Sequence, residues 1–287
     1  MHPFVYARPE TVDEAVALLA EHGGEAELLA GGTDLIIELR NRWKEPRVVV
    51  DLKRIDELAP AIVERDGFLA ISASTVMADI VADERVQRFF PALAEAADSV
   101  GSIQIRNRAT LAGNICNGSP AADTPPPLLV YEAQVVIAGV GGRSHMSIDD
   151  FIVGRGEVAL RDDELVTAIE MPIPTEPLGS AFTRMTRRRG TDLASITLCC
   201  GVDSAGTTRL AYGSVGPRAL LVFDDSGVLS DPAAPSEEKA LHLERMFVDA
   251  SPSPTSMRAG PEYRVAMLPV LGARALQKAI ERLAAAT

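Results

Sequence analysis

The chain holds little of what most protein chemistry is built from. Among its 287 residues are three cysteines and four histidines. Cys116, Cys199 and Cys200 are too few and too badly spaced for a disulfide framework or a zinc site. Cys199 and Cys200 are adjacent, so in a strand they point to opposite faces and cannot grip one ion together. Three thiols also fall short of the usual four-cysteine ligation of an iron–sulfur cluster. His2, His22, His145 and His242 are scattered, which argues against a metal centre. Positive charge is short as well: 28 basic against 40 acidic residues leave a net −12. Nucleic acid and anionic membrane surfaces would repel such a chain. No apolar run approaches the length of a membrane span, and the opening MHPFVYARPE is not a signal peptide. No fixed-period repeat is visible, and the expected location is the reducing cytoplasm.

What is present is ordinary globular material, 47% apolar and 24% charged, in a length that suits one large domain or two to three smaller ones. Thr11 followed by Glu14 is a capping-box pattern, and Val12, Ala15, Val16 and Leu19 then form one apolar face before Gly23. AELLAGGTDLIIELRNRW reads as a short strand, a two-glycine turn and a helix beginning near Thr33. PRVVVDL reads as a strand, and AIVERDGFLAISAS as a hairpin about Asp66-Gly67. Helical turns are expected around Pro91, then a short helix through LLVYEA and the strand QVVIAG. ELVTAIEMPIP reads as a strand closed by Pro172 and Pro174. Beyond Gly179, SAFTRMTRRR, SITLCCGVD and TTRLAYGSV read as antiparallel strands, followed by helices in PSEEKALHLERMF and in PEYRVAMLPVLGARALQKAIERL, the last bent at Pro269. Strands followed by helices predict a separate α+β unit, with a boundary in MPIPTEPLG.

The unusual segments are poor in side chains. AGGTD lies between a strand and a helix start, where Gly31 and Gly32 let a ligand approach the main chain. The N–H groups that follow suit an anion such as phosphate. Asp34 would repel a phosphate, and instead caps nearby amides or holds a ribose or water. A plain strand-to-helix turn is the competing reading. ATLAGNICNGSPAADTPPP is the second such segment. Asn114, Asn117 and Ser119 can hydrogen-bond neutral polar atoms, and Asp123 can accept from sugar hydroxyls. Two such loops suit a ligand with paired phosphates and a polyol chain. The alternative is a surface loop that Pro125, Pro126 and Pro127 keep extended.

LLAGGTDL and ATLAGNICNGSPAAD closely resemble the two FAD-contacting loops of the flavin subunit of molybdenum hydroxylases. That family includes carbon monoxide dehydrogenase, xanthine dehydrogenase and nicotine- and nicotinate-type dehydrogenases. PFVYARPETVDEAVALL, ALRDDELVTAIEMPIP, RRRGTDLASI and MRAGPEYRVAMLPVLGARAL also look like family landmarks in family order, so the resemblance covers nearly the whole chain. It implies an α+β fold: a two-lobed FAD-binding domain of the vanillyl-alcohol-oxidase/PCMH type over residues 1–175, then a C-terminal antiparallel sheet with helices over 178–287.

The resemblance also implies site residues. Leu28, Leu29, Ala30, Gly31, Gly32, Thr33 and Asp34, with Ala109, Thr110, Gly113 and Asn114, would wrap the FAD pyrophosphate. The amides of Gly31, Gly32, Thr33 and Gly113 would do most of that work. Ala122 and Asp123 belong to the ribityl or ribose region, and Leu165 and Val166 would cover the isoalloxazine ring; an ordinary strand core is the other reading of that pair. Arg184, in RMTRRR, sits where relatives often carry a lysine near the flavin, where a cation would stabilise charge built up at N1–C2=O on reduction. Asp192 is expected to pair with the arginine cluster. Cys116 would lie close to the flavin or serve as inert packing.

No histidine lies in either loop, so the FAD is expected to be non-covalent. The implied function is electron transfer. A large molybdopterin subunit oxidises substrate, a small subunit with two [2Fe–2S] clusters carries the electrons, and the FAD of this chain passes them to an external acceptor. The implied assembly is a dimer of heterotrimers, a heterohexamer. Two other readings remain: a stand-alone FAD oxidase or dehydrogenase using His145 or Tyr212, and a non-redox nucleotide-binding module.

Overall fold

In the computed structural model, which describes residues 1–256 and 258–286, the first helix is Val12–His22. The Thr11 hydroxyl accepts from the Glu14 amide at 3.1 Å and Gly23 ends the helix at φ 52°. The Glu14 carboxylate turns back to the Glu10 amide at 2.7 Å, one residue earlier than a capping box would place it. Its apolar face is buried at Val12, Ala15, Val16 and Leu19. Met257, which begins the MRAGPEYRVAMLPVLGARAL landmark, and Thr287, the end of the expected second domain, lie outside the described residues.

The chain forms three main sheets. The first is parallel, in the order Val5–Ala7, Val48–Asp51, Ala26–Leu29. Its central strand, VVVD, is buried throughout, as a strand covered on both faces must be. The second is antiparallel, in the order Ile62–Arg65, Phe68–Ser72, Leu165–Pro172, Gln134–Gly139, Gly142–Ser147. The hairpin between its first two strands turns on Asp66 at φ 51° and Gly67 at φ 80°, the positive pair that a two-residue turn of this twist requires.

Between Phe68–Ser72 and Gln134–Gly139 the chain makes a mostly helical excursion that carries the second small-residue segment. The helix Leu111–Cys116 sits inside that segment. The three prolines do not hold a surface loop extended. Pro125, Pro126 and Pro127 are the buried first turn of the helix Pro125–Val130, so the helix expected through LLVYEA starts and ends earlier. A proline there loses no hydrogen bond, because the first-turn amides of a helix have no partner within it.

The third sheet is an antiparallel meander of Leu178–Met185, Ile196–Asp203, Thr208–Gly213 and Leu220–Asp224. Its strand alternation puts Cys199 into the core shared with the N-terminal helices and Cys200 into the core under the C-terminal helices. The helix Pro261–Ala286 runs on through Pro269 and packs on this sheet. A Cβ at Gly179 would lie 2.0 Å from the Ala279 carbonyl oxygen, so only glycine permits that approach. Glu95 ties the helix to the rest of the molecule, accepting from Lys278 at 2.5 Å, Arg282 at 2.6 Å and the Phe182 amide at 2.9 Å. Mixed helices and largely antiparallel sheets make this the expected α+β fold.

Candidate functional site

The two glycine-bearing bends touch. From the strand Ala26–Leu29 the chain turns through Ala30–Asp34 into the helix Leu35–Asn41, with Gly32 at φ 76°. A Cβ at Gly31 would lie 1.9 Å from the Arg108 carbonyl oxygen and 3.2 Å from the Ala109 Cα. The absent side chain is what lets the bends meet. Among the described residues, the amides of Gly31, Gly32, Thr33 and Asp34 donate to no protein acceptor. Asp34 makes no side-chain cap, so the expected capping of nearby amides by its carboxylate does not occur.

The second bend differs from the expectation. Thr110 caps the helix Leu111–Cys116, and its hydroxyl accepts from the Gly113 amide at 3.0 Å. The Leu111 amide donates to the Thr75 carbonyl at 3.4 Å and the Asn114 amide to the Thr110 carbonyl at 3.0 Å. Gly113 therefore offers a bare surface, and its N–H is already used. The amides of Thr110 and Ala112 are the ones left open here among the described residues. Asn114 is fixed by the Thr124 hydroxyl, which donates to its Oδ1 at 2.6 Å.

The bends form the floor of a cleft of about 880 Å³, within the roughly 300–1,000 Å³ common for ligand sites. Leu28, Ala30, Gly31, Gly32, Thr33, Asp34, Ala109, Thr110, Gly113, Asn114, Cys116, Ala122, Asp123 and Val166 all line it. Burial pushes the Cys116 thiol up to about 12, which keeps it protonated and inert. Three expected residues do not line it. Leu29 packs instead with Leu35, Leu39 and Val49. Leu165 and Val166 are successive strand residues on opposite faces, so Val166 reaches the cleft and Leu165 is fully buried in the core.

Arg184 is the third. Its Nη1 donates to Asp123 Oδ2 at 2.7 Å and to the Ser99 carbonyl at 2.9 Å, and its Nη2 to the Asp192 carbonyl at 2.8 Å. It stands behind Asp123, which faces the cleft. Burial pushes the Asp123 carboxyl up to about 6, with Arg184 acting against the shift. Asp123 Oδ1 and Asp192 Oδ2 are buried without a hydrogen-bond partner. Asp192 pairs with Arg187 at 3.5 Å.

The cleft also contains residues that sequence reading did not single out: Lys44, Leu160, Arg161, Arg188, Leu193 and Arg258. Arg188, Leu193 and Arg258 do fall within RRRGTDLASI and MRAGPEYRVAMLPVLGARAL, so the signal was present without a role attached. So do Leu160 and Arg161, within ALRDDELVTAIEMPIP; Lys44 carried no such signal. His145 and Tyr212 lie elsewhere. His145 stands on a sheet edge 3.3 Å from Glu170, and Tyr212 is buried against the Phe247 ring.

A family model described as the FAD binding domain in molybdopterin dehydrogenase matches residues 2–174. The xanthine dehydrogenase FAD-binding subunit of Escherichia coli O157:H7 is 32% identical over 96% of this chain and 95% of its own length. The carbon monoxide dehydrogenase medium chain of Hydrogenophaga pseudoflava is 32% identical over 98% of each chain. A solved carbon monoxide dehydrogenase from Hydrogenophaga pseudoflava, one lacking the Mo-pyranopterin moiety of its cofactor, superposes with a TM-score of 0.89 over 98% of this chain and 99% of that one, at 32% identity. The touching glycine bends, the open main-chain donors and the cleft agree with these matches, and the chain belongs to the family of FAD-binding domains of molybdopterin dehydrogenases.

Proposed function

We propose that this chain is the FAD-carrying electron-transfer subunit of a molybdopterin-dependent dehydrogenase. One observation carries the reading: a row of unpartnered amides at Gly31–Asp34 opens onto a cleft that also holds a buried, half-satisfied carboxylate at Asp123. Those groups fit a dinucleotide. The amides and the open donors of Thr110 and Ala112 would take the pyrophosphate, Asp123 would accept from polyol hydroxyls, and Val166 would lie against the ring. When bound, FAD supplies the conversion between two-electron and one-electron transfer. The chain's own residues bind, orient and exclude water.

The relatives named as FAD-binding subunit and medium chain support a multi-subunit assembly. Its partners would be a large molybdopterin-binding subunit and a small [2Fe–2S] subunit, in a cytoplasmic dimer of heterotrimers. The FAD is held without a covalent bond, and electrons arrive from the [2Fe–2S] clusters and leave to an external acceptor. Residues 1–175 would form the FAD-binding unit and 178–287 the second domain, a division supported by the second sheet finishing at Pro172 and the third beginning at Leu178.

The test is flavin stoichiometry. Gently purified full-length protein is expected to be yellow, to hold one FAD per chain, and to release it into the supernatant on acid precipitation. A colourless protein that takes up no added FAD would overturn the assignment. Co-purification with two further chains separates the subunit reading from a stand-alone oxidase.

A further inference from the structure

A fixed cation near the flavin eases its reduction, and Arg184 is committed to Asp123. The cleft contains another candidate. Arg258 lines it, its Nε is buried without a hydrogen-bond partner, and among the described residues no carboxylate pairs with it. The other cleft cations are occupied. Lys44 pairs with Glu27 at 2.9 Å and Glu38 at 3.6 Å. Arg161 pairs with Glu164 at 2.8 Å and Asp163 at 3.2 Å. Arg188 is exposed and donates from Nε to the Thr191 carbonyl at 3.2 Å. In a chain with 40 acidic residues, carboxylates are plentiful, yet Arg258 faces the cleft without one.

Its placement is built, not incidental. Arg258 belongs to the connector between the helices Ser236–Met246 and Pro261–Ala286. The Ser253 amide of that connector donates to the Val215 carbonyl at 2.8 Å. Arg264, buried at 1% exposure, donates to the carbonyls of Ser214 at 2.9 Å and Val215 at 2.7 Å, and also to that of Ser253. The Ser214 amide in turn donates to the Pro120 carbonyl at 2.7 Å. A chain of main-chain bonds thus ties the Arg258 connector to the 119–123 segment, whose Ser119, Ala121, Ala122 and Asp123 line the cleft. A guanidinium taken partly out of water without a counter-charge is costly, and an anionic occupant of the cleft would repay it.

We propose that Arg258 is the cation that serves the redox end of the bound FAD, the end held at Asp123. This rests on the FAD reading above. Negative charge gathers on the flavin ring when it is reduced, and a fixed cation beside it favours the reduced form. Arg258 would supply from the C-terminal region the charge that Arg184 spends on Asp123.

The experiment compares full-length wild type with Arg258→Gln and Arg258→Lys, reading FAD content and flavin midpoint potential by redox titration. Arg258→Gln is expected to keep its FAD but to lose about tenfold in preference for the reduced flavin, a fall of ~30 mV for a two-electron couple. Arg258→Lys should recover most of it. A flavin-loaded Arg258→Gln protein with the wild-type midpoint overturns the proposal, as does an equal fall in both variants, which would mark shape and not charge. Should the Gln variant fail to fold, Arg258→Met decides: a tenfold loss in preference for the reduced flavin supports the proposal, and a midpoint near wild type overturns it. Wild type that binds no FAD sinks the functional reading itself, so the two failures are told apart.

Discussion

The two glycine bends look alike in sequence and are built for different work. At Gly31–Asp34 the donors point out unpaired, and the glycine is required because the other bend's backbone lies where its Cβ would be. At Thr110–Asn114 most donors are satisfied internally, and a Cβ at Gly113 would meet only Thr110 Oγ1, at 3.0 Å. The first bend leaves a row of main-chain donors open, as the proposed anion site needs, and the second is a wall whose donors are mostly taken. A GG and a lone G therefore cannot be equated: one serves chain approach, the other an uncluttered surface.

Five experiments would break or refine that contrast. Gly31→Val must push the bends apart, because the obstruction is the Arg108 carbonyl and not a flexible side chain. We expect flavin content near zero and a stability loss of about 4 kcal/mol, read by absorbance and by denaturant titration. A flavin-replete Gly31→Val protein would contradict the first-bend account.

The second bend is backed by Asp123 and Arg184. Arg184→Met leaves a buried carboxylate without its cation, and should cost about 3 kcal/mol at pH 8 and far less at pH 5, where Asp123 is protonated. The same carboxyl makes the FAD-free wild type pH-sensitive. Its folded pKa of about 6 exceeds the reference 3.8, so the folded state binds the extra proton in that window. Stability from this group is full below pH ~4 and is lost as pH rises through ~6, by about 3 kcal/mol in all. Asp123→Asn should flatten that slope in chemical unfolding between pH 4 and 7; an unchanged slope would assign it elsewhere.

Smaller effects belong to the wall itself. Thr110→Val removes a helix cap and should cost about 1 kcal/mol in unfolding free energy, with FAD retained. Gly113→Ala should change stability by only about 0.5 kcal/mol, since helix preference and mild crowding of Thr110 oppose each other. Flavin loss as complete as that of Gly31→Val would show the two bends to be equivalent after all.

Local patterns were legible in the sequence where local forces decide. Thr11 with Glu14 and Asp66 with Gly67 act through neighbours a few residues away: the turn and the Thr11 cap form as read, while the Glu14 carboxylate closes on Glu10 instead of Thr11. The three prolines were ambiguous, because a proline run is extended in water and a helix start when buried, and burial is not a local property. Val166 and Leu165 show the same limit: alternation says they face opposite ways, and only the neighbouring elements say which way is the cleft. Arg184 had a strong motif position, yet it packs behind Asp123, while Arg258 reached the cleft through a connector whose path the sequence does not trace.

By itself the sequence determined the class of element at most positions, the glycines that clear the cleft floor and the family to which the chain belongs. Those follow from backbone freedom, apolar period and ordered motifs. The tertiary structure alone decided that the bends abut, that the Gly113 amide is taken, and which arginine is left to face a ligand. Each of these depends on groups far apart in the chain arriving at one place, where hydrogen bonds and ion pairs compete for partners that the linear order does not reveal.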